Sequence, residues 1–234
     1  MTGRAGSGIG LGTVVVGSLA VGFLVFAILF GFTVVSTQEE ASLRDEFDPV
    51  AFVEESWDAV RTAIRDEAVP LADVLARIEP GPDGRIATGE LTPVAEELGL
   101  ITPGEAHVYR VIASGTVSDV DVASSRGSIG IDVDGYEGPI EVRAWIGTRI
   151  PSDESSVRDA SGFISFGDFR EQTEFGQVAR ELNAKVVENL EELDRENLAG
   201  KQIDIVGALT MRTFNQPTID VSELVLVPIE ITEP

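Results

Sequence analysis

Apolar and polar positions repeat with helical spacing over Asp168–Leu198. Apolar side chains recur there at steps of three and four, which places them on one helix face: Phe175, Val178, Leu182, Val186, Leu190 and Leu193. Asp168, with Glu171 three residues later, fits an N-cap with a capping box, and Asn197 and Gly200 fit a helix end. The pattern predicts one long helix, with Phe175, Val178, Leu182 and Val186 buried against a sheet.

Alternation with a period of two lies on both sides of this helix and predicts five strands. They are Tyr109–Val122, Ser128–Val133, Ile140–Ile150, Lys201–Arg212 and Pro217–Ile229, the last with a bulge between Val221 and Leu224. Three strands, a helix and two strands is the order of an oligonucleotide/oligosaccharide-binding (OB) barrel. We therefore predict an α+β protein with an OB-like five-stranded β-barrel over residues 101–234, the long helix between strands 3 and 4, and the apolar helix face closing one end of the barrel.

Helical patterns also precede the strands, and they predict a helical segment over residues 47–100 that packs on the barrel. Asp48 and Pro49 fit an N-cap and a first turn. The apolar stripe that follows consists of Phe52, Val53, Trp57, Val60 and Ile64. Because Pro70 interrupts the pattern, we expect a second short helix over Leu71–Ile78, and then a further turn or two over Thr92–Leu98.

An uncharged apolar run, Ile9–Val35, stands near the N-terminus. As a helix it is long enough for a hydrocarbon core of roughly 30 Å, and it is too long for a signal-peptide core of about 7–15 residues. Arg4 precedes the run and acidic residues follow it. The positive-inside rule then predicts a single-pass signal anchor in the cell membrane, with residues 1–8 cytoplasmic, residues 36–46 as a linker and the C-terminal domain extracytoplasmic.

The composition of the chain excludes several classes of partner and of catalytic or metal site. The formal net charge of −23, from 17 basic and 40 acidic residues, repels polyphosphates, so we expect no nucleic-acid partner. The sequence contains no cysteine, which excludes disulfides, thiol catalysis and a lipid-modified cysteine. His107 is the one histidine, so a zinc site with two histidines is excluded. We expect no cofactor.

A partial EF-hand register occupies Glu79–Glu90. Asp83 and Glu90 fall at loop positions five and twelve, and helical patterns flank the loop. Gly81 stands at position three, where an acidic residue is expected, and prolines fill positions two and four. Asp83 and Glu90 are therefore candidate calcium ligands, and the alternative is a Pro/Gly turn.

The candidate ligand-binding residues are Arg126, Arg158, Asp159 and Gln172. In so acidic a chain, an arginine near a barrel mouth is a candidate contact for an anion or a carbohydrate. The alternative is an internal ion pair that fixes the loop before the helix. Since neighbours on an extended segment point to opposite faces, we expect Arg158 and Asp159 not to pair with each other, and Arg158 to pair with another acidic or amide group.

Four stretches carry a family resemblance. They are Phe47–Trp57 followed by Val69 and Pro70; Gly115–Val117 leading to Ser125–Gly127; Ile146 and Gly147 followed by Val157–Ala160; and Phe166–Phe175 with Val178–Arg180, Leu182 and Asn183. Taken in this order, they resemble the predicted bacterial periplasmic lipoproteins of unknown function called domain-of-unknown-function family 2291.

This resemblance implies an exported, membrane-tethered OB-like domain whose genes lie beside sugar ABC-transporter genes. Sugar-transporter components are therefore the expected partners, and no catalytic residues are implied. The chain departs from the family pattern in two places. It lacks a lipobox cysteine, so Ile9–Val35 is the expected anchor. The loop between Gly147 and Arg158 is longer, with Ser152–Ser156 in place of a Gly-Thr pair.

Two function classes follow. The first is a non-catalytic, membrane-anchored extracytoplasmic binding or accessory domain for an unidentified small molecule, associated with a sugar ABC transporter. The second is an extracytoplasmic hydrolase that acts through carboxylates. Because the sequence shows no assembled nucleophile and base, we favour the first.

Overall fold

The computed structural model describes residues 47–104 and 106–234. Its N-terminal part contains helix α1 (Pro49–Asp66), strand β1 (Val69–Pro70), helix α2 (Leu71–Ala76), strand β2 (Arg85–Ala87), helix α3 (Thr88–Leu98) and strand β3 (Leu100–Ile101). The predicted start of α1 is confirmed, because the Asp48 carboxylate accepts hydrogen bonds from the backbone N–H groups of Val50 and Ala51 at 3.0 and 3.1 Å.

Five strands form a closed barrel. They are β4 (His107–Asp121), β5 (Ser128–Val133), β6 (Glu141–Trp145), β7 (Gln202–Met211) and, after the short strand β8 (Thr218–Asp220), β9 (Glu223–Thr232). The neighbour order is β4-β5-β6-β9-β7, and pairing of β7 with β4 closes the barrel. β6 and β9 run parallel and the other neighbours antiparallel. The predicted OB-like barrel is confirmed.

Between β6 and β7 the chain forms helix α4 (Ser156–Ser161), a 3-10 turn (Phe166–Asp168), helix α5 (Gln172–Asn189) and a second 3-10 turn (Arg195–Asn197). The helix between strands 3 and 4 of the barrel is therefore present. It is shorter than the predicted Asp168–Leu198.

Both predicted ends of that helix are wrong. Asp168 accepts a hydrogen bond from the Ser165 backbone N–H at 2.8 Å and so caps the 3-10 turn rather than α5. Phe169 then takes an extended conformation, because its ring packs edge-on against Phe47 and Phe52. At the other end α5 stops at Asn189, and Leu190 begins a series of turns.

Two hydrophobic clusters hold the fold together. One contains side chains from all five barrel strands and fills the barrel interior, where α2 and α3 add Leu75 and Leu91. The other lies between the outer face of β4, β7 and β9 and the helices α1, α4 and α5. Val178, Leu182 and Val186 are buried in this second cluster and Phe175 is half-buried. The apolar face of α5 therefore covers the side of the barrel. The prediction that this face closes one end of the barrel is wrong.

Two strand predictions need correction. The predicted strand Ile140–Ile150 ends at Trp145, because Gly147 turns toward the β4–β5 loop, where an added Cβ would lie 2.3 Å from the Ser125 carbonyl oxygen. The predicted strand Pro217–Ile229 is two strands in two sheets, since β8 pairs with β2 while β9 joins the barrel. The predicted bulge is the break between those two strands.

The predicted anchor Ile9–Val35, the residues 1–8 before it and the linker 36–46 lie outside the described residues. Within the part of the chain that the structure describes, no helix is both long and apolar enough to cross a membrane.

Candidate functional site

A cleft of about 460 Å³ lies at the end of the barrel where β4 begins and β7 ends. Its walls come from four segments that are distant in sequence: the β3–β4 turn, the end of α4 with the following 3-10 turn, the first turn of α5, and the turn after β7. Three large apolar side chains of the walls are exposed, namely Ile101, Phe166 and Phe214, with Phe214 exposed to 61%. We call this the terminal cleft.

Arg158 and Asp159 line the terminal cleft and pair with each other. The Arg158 Nε and Nη2 atoms donate to Asp159 Oδ1 at 2.9 and 2.7 Å, and each side chain is only 11% exposed. Ser155 Oγ donates to the other carboxylate oxygen at 2.7 Å. The expectation that the two residues do not pair is wrong because they lie on helix α4 rather than on an extended segment.

The same arginine joins α4 to the first turn of α5. Arg158 Nη1 donates to the Phe175 carbonyl oxygen at 3.1 Å, and its guanidinium lies 3.5 Å from the centre of the Phe175 ring. The Phe166 ring meets Phe175 edge-on with ring centres 5.7 Å apart. A cation over an aromatic face is attracted by the ring quadrupole. Arg158 therefore holds the Phe175 ring in the wall of the cleft as well as the carboxylate of Asp159.

A buried arginine on the barrel holds α4 in place. Arg110 on β4 donates from Nε to the Ala160 carbonyl oxygen at 2.6 Å and forms an ion pair with Glu67. Its guanidinium lies against Gly162, where an added Cβ would be 2.4 Å from Arg110 Nη2. Gly162 also has a φ of +76°, which L-residues rarely adopt. Sequence reasoning missed Arg110, although a charge within the apolar run Val108–Ile112 was the available signal.

The rim of the cleft carries a second arginine with a weaker ion pair. Arg212 lies 3.3 Å from a carboxylate oxygen of Asp153, and the two side chains are 50% and 78% exposed. Both arginines that line the cleft therefore have a carboxylate partner.

The other two candidate ligand-binding residues do not join this site. Arg126 is exposed in the β4–β5 loop, and Gln172 is exposed at the start of α5. Neither lines the terminal cleft.

The candidate calcium ligands lie on different elements. Asp83 Oδ1 accepts a hydrogen bond from the Arg85 backbone N–H at 3.2 Å and closes a turn, whereas Glu90 lies in the first turn of α3. Among the described residues, no three acidic or histidine side chains are grouped so that they would hold a metal ion.

A second depression, of about 430 Å³, is lined by residues of β5, β6 and the turn between them, and its lining surface is mostly polar. Arg143 lies in it and donates to the two carboxylate oxygens of Asp119 at 2.9 and 3.1 Å. Hydrogen bonding to Asp119 raises the pKa of the Arg143 guanidinium. This arginine is therefore held by its partner.

Two titratable groups at the cleft end of β4 face the barrel interior. Burial lowers the pKa of His107, and burial raises the pKa of the Tyr109 hydroxyl. Neither His107 Nδ1 nor the Tyr109 hydroxyl has a hydrogen-bond partner among the residues described. Both groups therefore remain uncharged near neutral pH.

Comparison with protein families identifies the chain. A model of the family described as "Predicted periplasmic lipoprotein (DUF2291)" matches residues 22–232. The chain belongs to the DUF2291 family. The predicted family resemblance is thus confirmed, and an extracytoplasmic location agrees with the family description.

The fold of this DUF2291 chain also has a solved counterpart. The crystal structure of an OB-fold protein from Thermotoga maritima superposes with a TM-score of 0.57 at 16% sequence identity, covering 81% of this chain and 100% of the other. At that identity the likeness shows the fold alone. A comparison with curated proteins gives no match.

Proposed function

We propose that this chain is a non-catalytic, membrane-anchored binding domain on the extracytoplasmic side, and that its ligand is a small neutral carbohydrate in the terminal cleft. The observation that carries the proposal is the lining of the cleft, where the exposed rings of Phe166 and Phe214 accompany the paired Arg158 and Asp159. Aromatic walls with a few fixed polar groups are typical of small-molecule sites.

The balance of charge in the cleft favours a neutral ligand. Arg158 is neutralised by Asp159, and Arg212 is partnered by Asp153. A sugar ring has apolar C–H faces that fit against phenylalanine rings, and its hydroxyls both donate and accept hydrogen bonds. The cleft volume of about 460 Å³ lies within the range of about 300–1,000 Å³ that is usual for ligand pockets.

The same lining favours binding over hydrolysis. Glycoside hydrolysis by carboxylates uses two such groups that flank the bond to be cleaved. Among the described residues of the cleft, Asp159 is the one carboxylate, and Arg158 and Ser155 already engage it.

Calorimetric titration of residues 47–234 with neutral mono- and disaccharides tests the proposal. We expect saturable binding that is abolished in the variant F166A/F214A. The control is Ile112→Ala, which removes another exposed apolar side chain from β4 outside the cleft and should bind like the wild type. If both variants bind a sugar as the wild type does, the site is elsewhere.

Membrane anchoring is the second part of the proposal. It is supported by the apolar run Ile9–Val35 and by the family description. Because the sequence has no cysteine, a single cysteine introduced by substitution is the one thiol that a maleimide can label, and its labelling reports the membrane topology. In intact spheroplasts, a membrane-impermeant maleimide should label Glu137→Cys and leave Ser7→Cys unlabelled; labelling of Ser7→Cys alone would reverse the orientation.

The proposed partners are components of a sugar transporter. This rests on the gene neighbourhood that the family resemblance implies. Cross-linking in cells that express the chain together with a neighbouring transporter would test it, and the absence of any cross-link to the transporter subunits would remove this part of the proposal.

A further inference from the structure

A third depression, of about 330 Å³, separates α5 from the segment that follows β6. We call it the arginine groove. The segment contributes Arg149 and the hydroxyl residues Thr148 and Ser152, and α5 contributes Arg180 and Asn183. The described residues that line it include no carboxylate, although the chain has 40 acidic residues.

Neither arginine of the groove has a partner among the described residues. Neither Arg149 nor Arg180 forms an ion pair or a side-chain hydrogen bond with any residue that the structure describes. Arg77, Arg110, Arg143 and Arg158, by contrast, each have a carboxylate partner. Two unpaired guanidinium groups beside one depression create a local positive potential, which attracts anions even when the net charge of the protein is negative.

Asn183 lines the same groove and carries a buried acceptor. Its residue surface is only 5% exposed, and its Nδ2 donates to the Glu154 carbonyl oxygen at 2.9 Å. That bond orients the amide, and it leaves Oδ1 buried without a described partner. A buried carbonyl oxygen without a donor is unfavourable, so a ligand hydroxyl that gained access to Oδ1 from the groove and donated to it would remove the penalty.

A further arginine lies next to the groove. The Arg149 backbone N–H donates to the Ser125 carbonyl oxygen at 2.9 Å, which places the β4–β5 loop and its exposed Arg126 beside Arg149. The side chain of Arg126 also forms no ion pair with a described residue. The positive patch therefore extends from α5 to this loop.

We propose that the arginine groove binds a phosphate ester that carries a hydroxyl group. The phosphate would be held by Arg149 and Arg180, whose planar guanidinium groups match phosphate oxygens, and the hydroxyl would donate to Asn183. Two sources have this chemistry, namely a soluble polyol or sugar phosphate and the glycerophosphate head group of a lipid.

The test is calorimetric titration of the 234-residue chain in a neutral detergent at low ionic strength, with glycerol 3-phosphate as the probe. We expect binding that weakens with added salt, no binding of uncharged glycerol, and a loss of about tenfold in affinity for each arginine replaced in R149Q and R180Q. The matched control is R77Q/K201Q, which removes two exposed cations from ion pairs elsewhere and should bind like the wild type.

A second titration with short-chain phosphatidylglycerol distinguishes the sources. Tighter binding of glycerol 3-phosphate assigns the groove to a soluble ester, and tighter binding of phosphatidylglycerol assigns it to a lipid head group. The proposal is overturned if neither probe binds, or if R149Q/R180Q binds as tightly as R77Q/K201Q.

Discussion

Replacing Arg158 by alanine should destabilise the fold strongly. The substitution removes the partner of Asp159, whose side chain is 11% exposed and would keep only the hydrogen bond from Ser155. Breaking a buried ion pair by removing one partner typically costs roughly 3–5 kcal/mol, because the other charge is left uncompensated. The contacts of Arg158 with the ring and the carbonyl oxygen of Phe175 are lost as well.

The assay is urea unfolding of residues 47–234 followed by circular dichroism. Arg212→Ala is the matched control, since it breaks an ion pair of the same cleft whose side chains are 50% and 78% exposed, and exposed pairs contribute about 0–1 kcal/mol. A double-mutant cycle with Asp159→Ala isolates the coupling between the two charges. The double variant should be less destabilised than the sum of the single variants.

One result would refute this reasoning. If Arg158→Ala unfolds at the wild-type urea concentration and differs only in ligand binding, then Arg158 is a ligand contact and does not hold α4 to α5.

Three further predictions concern the stability of the fold. Leu182→Ala should lower the free energy of unfolding by about 2–5 kcal/mol, because Leu182 is fully buried in the cluster under α5; an unchanged urea midpoint would contradict this. Gly162→Ala should destabilise by more than about 1 kcal/mol, since φ is +76° and Arg110 occupies the space of a Cβ; thermal melting measures it. His107 has a lowered pKa in the fold, so the unfolded chain binds a proton more readily, and stability should fall as the pH drops below about 6.5. That decrease should be smaller in His107→Gln.

Local patterns predict the elements, and the structure shows why they fail at the boundaries. Ser128–Val133 has the predicted bounds because its alternation is uninterrupted. The predicted start of α5 is wrong because Asp168 can cap a 3-10 turn as well as an α-helix. The packing of Phe169 on α1 ends the 3-10 turn there and so decides between these two structures. Spacing within one segment carries no information on such tertiary contacts.

The candidate site is harder to predict from the sequence than the fold is. Arg158 and Asp159 stand out as charges before a helix, but their pairing depends on α4, a helix of six residues that is too short to leave a periodic signal. The apolar walls come from segments far apart in the chain, with Ile101 before β4 and Phe214 after β7. That Arg149 and Arg180 pair with no residue of the described part of the chain is likewise visible only once the barrel and α5 are placed together.

The most direct test of sugar binding in the terminal cleft is a titration of isoleucine δ1-methyl resonances by NMR. Ile101 and Ile164 line the cleft, whereas Ile86 and Ile219 lie in the β2–β8 ribbon outside it. A neutral sugar that binds as proposed shifts the Ile101 and Ile164 methyl signals and leaves those of Ile86 and Ile219 in place. Saturable binding that moves only signals outside the cleft, or no shift with any neutral sugar, contradicts the account.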